Sequence, residues 1–376
     1  MQTLKGNNIL NRKQCDVLRG LAIIGIFLHN FCHWLHGGHH ENEYLFYQGH
    51  GQTAWDYWTG GIDAFAPIQF FSFFGHYGVP LFLFLSGFGL VMKYEQQGAK
   101  RVGTWSFLSY QWLKLFRLMA LGFVVTVLVY IACGSEPHPW NEMLAQLAMV
   151  VNFVFQSPGS ALVPGPYWFF GLMIEVYVIY RLFVYSTRNQ SLWRWLMPVL
   201  LSIVAWLMMM VVVVCGNHLK ALEYLRYNAA VAMLPFAMGV LVARYGMPQL
   251  PKWVLVLVAV ACLPLLAVVN LNFQAWLWGP VLVIAGAVAF VKLFEHYSSE
   301  ATGLLMRPLA WVGTLSSFIF VVHSVPRMPI FKFVLWRQQE IMPTDYLWIA
   351  LYIVLTLLLA WLYKQYLNLL PSPKLK

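Results

Sequence analysis

A titratable side chain inside an apolar helix costs free energy, and this sequence sets several at spacings suited to proton transfer and anion binding. Arg19 and His29 lie on one run that begins at Asp16 and passes through an apolar stretch to His29-Asn30. Ten residues at helical rise separate them by about 15 Å along the axis and about 80° around it. Arg19 is therefore expected near one end and His29 well inside, and both can face one wide cavity. A buried imidazole that is neutral near pH 7 can act as a general base. Taken alone, the residue is equally open to a packing role, bonded to a neighbouring carbonyl. His33 and His36 follow on the same face, and with His39 and His40 they raise the idea of a metal site. The intervening Asn30, Phe31 and Cys32 do not give the H-E-x-x-H pattern, and no metal is expected.

Three further groups stand out. Tyr167 and Trp168 open an aromatic run of the kind favoured at a membrane interface. Glu175 follows roughly two turns later in apolar surroundings, where a carboxylate needs a proton, a partner or water. Ser316 and Ser317 precede His323 on a late apolar run; hydroxyls there commonly bond within a helix bundle. Lys114 and Arg117 stand three residues apart on one helical face, able to hold a phosphate or to reach lipid headgroups.

The elements that carry these residues are membrane helices. Hydrophobic residues make up 60% of the 376 and charged residues 10%, far below the roughly 25% charge of a soluble domain. Spans of about 20 apolar residues are expected at about 15–35, 70–92, 115–133, 167–187, 194–215, 227–245, 252–270, 275–293, 308–326 and 345–366. The fold class is thus an all-α polytopic membrane protein of about ten transmembrane helices, a single domain over 1–376. Alternating the ten spans puts 19 of the 24 lysines and arginines on the side of the termini. Only Lys220, Arg226, Arg327, Lys332 and Arg337 fall on the other side. That asymmetry predicts cytoplasmic termini and accounts for the net charge of +10 without a nucleic-acid partner. The first twelve residues are polar, and the run from Val17 to Leu35 shows no small-residue cleavage site, so it is expected to span rather than to be a signal peptide. Met143 to Phe155 is apolar but short and flanked by prolines, which suits an interfacial or re-entrant helix. The five cysteines are scattered singly, with no C-x-x-C pair.

In this order the groups resemble the acyltransferase-3 family of multispanning membrane acyltransferases. The D-x-L-R-G-L-A run from Asp16 with His29, and the G-V-P-L-F-L-F-L-S-G-F run from Gly78 to Phe88, are similar to its first two helix motifs. Lys114-x-x-Arg117 resembles its cytoplasmic basic pair. Trp168-Phe169 with Glu175 and Tyr177, Pro235 to Gly239, and Leu315-Ser316-Ser317 with His323 complete the likeness, over about residues 12 to 365. Two positions depart from the pattern. Nine residues, not the usual ten, lie between Arg19 and His29, and Ser317 stands where tyrosine is common.

The resemblance implies transfer of an acyl group, most often acetyl from acetyl-CoA or another acyl-CoA, to a hydroxyl of an envelope carbohydrate or glycolipid. It implies His29 as general base, with Arg19 and Glu175 as further catalytic residues. Arg19, Lys114 and Arg117 would meet the donor's phosphates, and Trp168, Tyr167, His323 and Ser316 would line the acceptor side. Membrane lipid is the expected surrounding, and a bacterial inner membrane suits the charge pattern. No G-x-S-x-G elbow is present, so direct transfer is expected. The rival reading is a transporter or flippase of a glycan or lipid-linked sugar; the paired repeats with broken helices that would accompany it are not evident in the sequence.

Overall fold

The computed structural model describes residues 9–43, 45–99, 101–155, 158–214, 219–296 and 300–375. Cys215, Lys5, Lys100 and Lys376 lie outside them. In chain order the helices are α1 (Arg12–Cys32), α2 (Gln48–Gly60), α3 (Ala66–Phe74), α4 (Gly78–Tyr94), α5 (Thr104–Ala132) and α6 (Trp140–Leu147). Then come α7 (Val151–Val154), α8 (Pro158–Ala161), α9 (Trp168–Ile179), α10 (Ser191–Val214), α11 (Leu219–Tyr227) and α12 (Ala229–Tyr245). The last six are α13 (Lys252–Val269), α14 (Phe273–Trp276), α15 (Gly279–His296), α16 (Glu300–Val322), α17 (Ser324–Ile330) and α18 (Asp345–Leu369). No strand occurs among the described residues.

Among the described residues, seven helical stretches are long and apolar enough to cross a membrane: α1, Ala66–Tyr94, α5, Gly165–Val184, Ser191–Val212, α13 and α18. Two more candidates are bent pairs, Ala221–Tyr227 with Ala229–Tyr245 at 41° and Met306–Val322 with Ser324–Leu335 at 56°. The remaining expected span, 275–293, corresponds to the shorter apolar helix Gly279–Phe294. Burial separates a central kind from a lipid-facing kind, with Gly165–Val184 between them at 56%. The most apolar stretches of α1 and Ala66–Tyr94 are 67% and 72% buried, whereas those of α5, α10, α13 and α18 are 17–22% buried. The first pair forms the centre, and the others turn apolar faces outward, as lipid-facing helices do.

Glycines let the central helices touch. A Cβ on Gly239 of α12 would overlap the Phe84 carbonyl of α4, and one on Gly87 of α4 would overlap the Phe236 carbonyl of α12. Small residues on facing helices permit such close packing in a membrane, where no hydrophobic effect drives helices together. The 143–155 segment forms α6 and α7 around Met149, which has φ 61°. Its buried Gln146 and Asn152 donate to the carbonyls of Tyr167 and Trp168, so this broken segment braces the start of α9.

Candidate functional site

His29 lies in the last turn of α1 and is 3% exposed. The 3-10 turn Gly75–Tyr77 between α3 and α4 packs directly on it, because Gly75 has no Cβ; one added there would sit 2.6 Å from the His29 Cβ. This contact brings the carbonyls of Ser72 and Phe71 to 3.0 and 3.2 Å from His29 Nδ1. Carbonyls only accept, so Nδ1 carries a ring proton, and in the neutral imidazole Nε2 keeps the lone pair. His33 stacks on the His29 ring (centroids 4.6 Å, 17°), with its own Nδ1 donating to the His29 carbonyl at 2.7 Å. The two histidines thus pack as a stack rather than converging as a ligand pair.

Nε2 points at two glutamates from the loop between α1 and α2, at 3.9 Å from Glu41 Oε1 and 3.7 Å from Glu43 Oε2. That loop is held at several points. The Gln69 side chain of α3 donates to the Gly37 carbonyl and accepts from the His39 N–H, and Ser72 Oγ donates to the His39 carbonyl. Trp276 Nε1 donates to the carbonyl of fully buried Asn42, and Arg226 Nε to that of Glu43. Burial raises the Glu41 carboxyl above the ordinary carboxylate range; neighbouring His29 opposes the shift and the Glu43 charge adds to it.

These residues line a cavity of about 330 Å³, together with Asn30, His76, Tyr130, Trp168, Tyr227 and Arg327. Arg327 comes from α17, just beyond the 56° break that follows α16. It is 2% exposed; Nη1 donates to the Asn30 carbonyl (2.8 Å) and side chain (3.2 Å), and Nη2 reaches the Tyr130 hydroxyl at 3.3 Å. Its guanidinium stacks over Trp34, and Nε has no hydrogen-bond partner. Among the described residues no carboxylate lies within ion-pair distance of it. The cavity therefore has an acidic wall beside a lone pair and a cation elsewhere on its lining. Such a chamber can take a proton at His29 and stabilise a negative oxygen near Arg327. A narrower void of about 50 Å³ adjoins it, shares Glu43, His76, Val79 and Trp168, and is walled by Tyr77, Trp206 and Trp276.

Of the residues singled out in the sequence, His29, His33 and Trp168 line the cavity. Arg19 does not; ten residues of α1 carry it to the opposite end, where its side chain is 38% exposed and bonds Asp16 at 2.7 Å. Lys114 shares that end, within electrostatic range of Arg19 and Lys93. Arg117 is engaged there as a helix cap, donating to the carbonyls of Leu367 and Leu370 at the close of α18. Glu175 also lies off the cavity lining. Its Oε2 accepts the Ala229 N–H at 3.0 Å, satisfying an orphan donor at the positive start of α12. Tyr167 is fully buried, with its hydroxyl donating to the Val321 carbonyl. His323 is fully buried at the α16–α17 break, where Nδ1 donates to the Phe320 carbonyl at 2.9 Å, and Ser316 is buried two turns earlier. Glu41, Glu43 and Arg327 were missed by sequence reasoning, although Arg327 is one of only five cations on the basic-poor side.

A family model described as an acyltransferase domain matches residues 12–364, nearly the whole chain. No curated protein and no solved structure matches it.

Proposed function

The chain belongs to the acyltransferase-3 family, and on that premise we propose that it acetylates a hydroxyl of an envelope carbohydrate or glycolipid, drawing on acetyl-CoA, with His29 as general base. The observation that carries this reading is the orientation of His29. Nδ1 is tied to two backbone carbonyls, which leaves the Nε2 lone pair aimed into a polar cavity. An acceptor hydroxyl placed between Nε2 and the thioester gives up its proton to Nε2 as its oxygen bonds to the thioester carbon. The imidazolium so formed is stabilised by Glu41 and Glu43 at 3.9 and 3.7 Å. The carbonyl oxygen becomes negative, and Arg327 supplies the positive charge for it. Collapse breaks the carbon–sulfur bond, and the departing thiolate takes the proton from the imidazolium.

On this reading the two ends of α1 divide the donor between them. The exposed cations Arg19, Lys93 and Lys114 at the basic end, which the charge asymmetry makes cytoplasmic, receive the CoA phosphates. The pantetheine arm then threads the bundle beside α1 to bring the thioester about 15 Å deeper, to His29. Trp168 and the aromatic walls of the adjoining void give the acceptor its sugar-stacking surface. The test is to incubate purified protein with labelled acetyl-CoA and a panel of membrane-glycan acceptors. Wild type should transfer label, and His29→Ala should lose about 10²–10⁴-fold in rate with an unchanged melting temperature. A folded His29→Ala protein that transfers label as fast as wild type removes His29 from the role. Transport of glycan without acyl transfer removes the reading itself.

A further inference from the structure

In the neutral ring, with its proton on Nδ1, the inward-facing atoms of His29, Glu41 and Glu43 are all acceptors, and they lie within 4.8 Å of one another. Three acceptors converging in a half-closed chamber repel unless a proton or a cation sits among them. The set has the marks of a metal site rather than of an acidic patch. Its imidazole is 3% exposed and aimed at both carboxylates. The other ring nitrogen is held by the Ser72 and Phe71 carbonyls, the outer-shell support that metal-bound histidines almost always have.

Distances agree. Two ligand atoms each about 2.1 Å from one ion at a tetrahedral angle stand about 3.4 Å apart. The observed separations from Nε2 are 3.7 and 3.9 Å, and all three atoms lie within 4.8 Å of one another, so drawing the carboxylates together by at most about 1.4 Å closes the set. The loop bearing the glutamates is already fixed by Gln69, Ser72 and Trp276, and the fourth position opens on the cavity.

We propose that His29, Glu41 and Glu43 form a binding site for a divalent ion of the zinc type, and that the ion inhibits by occupying the lone pair that acyl transfer needs. One imidazole with two carboxylates is a borderline ligand set, which takes zinc in preference to the all-oxygen surroundings of magnesium or calcium. Inhibition rests on the general-base reading; binding does not.

The full chain in detergent, stripped of metal, is titrated calorimetrically with zinc chloride. One site is expected in wild type, and Glu41→Gln/Glu43→Gln should weaken it by at least about 100-fold, the upper end of what loss of an outer-shell partner alone costs. The single Glu43→Gln is titrated beside it with cobalt(II), whose visible bands report the coordination sphere should the double variant not fold. His40→Ala, which removes the exposed ring 5.5 Å from His50 and leaves the His50 Nδ1 bond to the Glu41 carbonyl in place, should keep the site. Zinc should also inhibit acyl transfer by wild type, with chelation restoring it. The proposal is overturned if wild type binds no zinc, if the glutamine variants bind it unchanged, or if the His40→Ala variant loses it. If no acyl transfer is detected in wild type, the general-base reading fails while the titration still decides the site.

Discussion

Two buried charged clusters lie toward opposite ends of the bundle, and they differ in how completely they are paired. Toward the basic end, Arg244 of α12 meets Glu95 just past α4 through two bonds of 2.9 Å, Nε to Oε2 and Nη2 to Oε1. Its remaining donors reach the Val184 and Arg194 carbonyls, and Tyr180 donates to the same glutamate. Near the far end of α1, His29 presents a lone pair to two carboxylates, and Arg327 has no carboxylate partner among the described residues. The first cluster is saturated and has nothing left to bind. The second is open, and it is the one that lines a cavity. In a low-dielectric interior an unsatisfied polar set is costly, so its persistence marks a place where something else completes it.

The contrast is broken most directly by removing one partner from each cluster. Arg244→Ala leaves Glu95 buried without a counter-charge, and should lower stability by about 3–5 kcal/mol, seen as a large fall in melting temperature. Arg327→Gln should leave the melt much closer to wild type while lowering kcat by about 10²–10³-fold, or about 2.7–4 kcal/mol in the barrier, with a smaller change in KM. Equal loss of stability in both variants would erase the distinction. The smallest effect is expected at Glu41. Its carboxyl is raised on folding from 4.5, the value of a free glutamate side chain, so the folded state binds the proton more tightly. Stability from this group is therefore greatest at low pH and declines as pH rises from 4.5 toward the raised value. Glu41→Gln should flatten that decline and stabilise the protein at neutral pH by about 0.5–2 kcal/mol, while slowing transfer. Melting curves across that window check the sign.

Hydropathy made the helical architecture legible, because spans of apolar residues have few other homes. Every expected span has a helix under it, though α11–α12 and α16–α17 are bent and Gly279–Phe294 is short. His29 was legible for the same reason, since a costly residue in an apolar run asks for a cavity, whereas Trp168 was legible only through the family resemblance. Glu41 and Glu43 were not, because in a polar loop a carboxylate costs nothing on sequence grounds, and only the Gln69 and Trp276 clamps turn them inward. The expectation that Arg19 shares a cavity with His29, with Glu175 as a further catalytic residue and Lys114 and Arg117 at the donor's phosphates, treated all buried or interfacial charges alike. Arg117 and Glu175 instead satisfy helix ends, a demand set by long-range packing that no local spacing reveals.

The clamped acidic loop has a practical consequence for mapping this molecule with proteases. Between Arg19 and Lys93 the sequence contains no lysine or arginine, so trypsin has no cleavage point anywhere in the segment that carries His29, its glutamates and the turn beneath it. A glutamate-specific protease has its targets there in Glu41 and Glu43, whose side chains are 17% and 13% exposed behind the Gln69 and Ser72 bonds. Digestion at those two bonds is thus a gauge of loop opening rather than of sidedness, and anything that locks the loop down will register as protection.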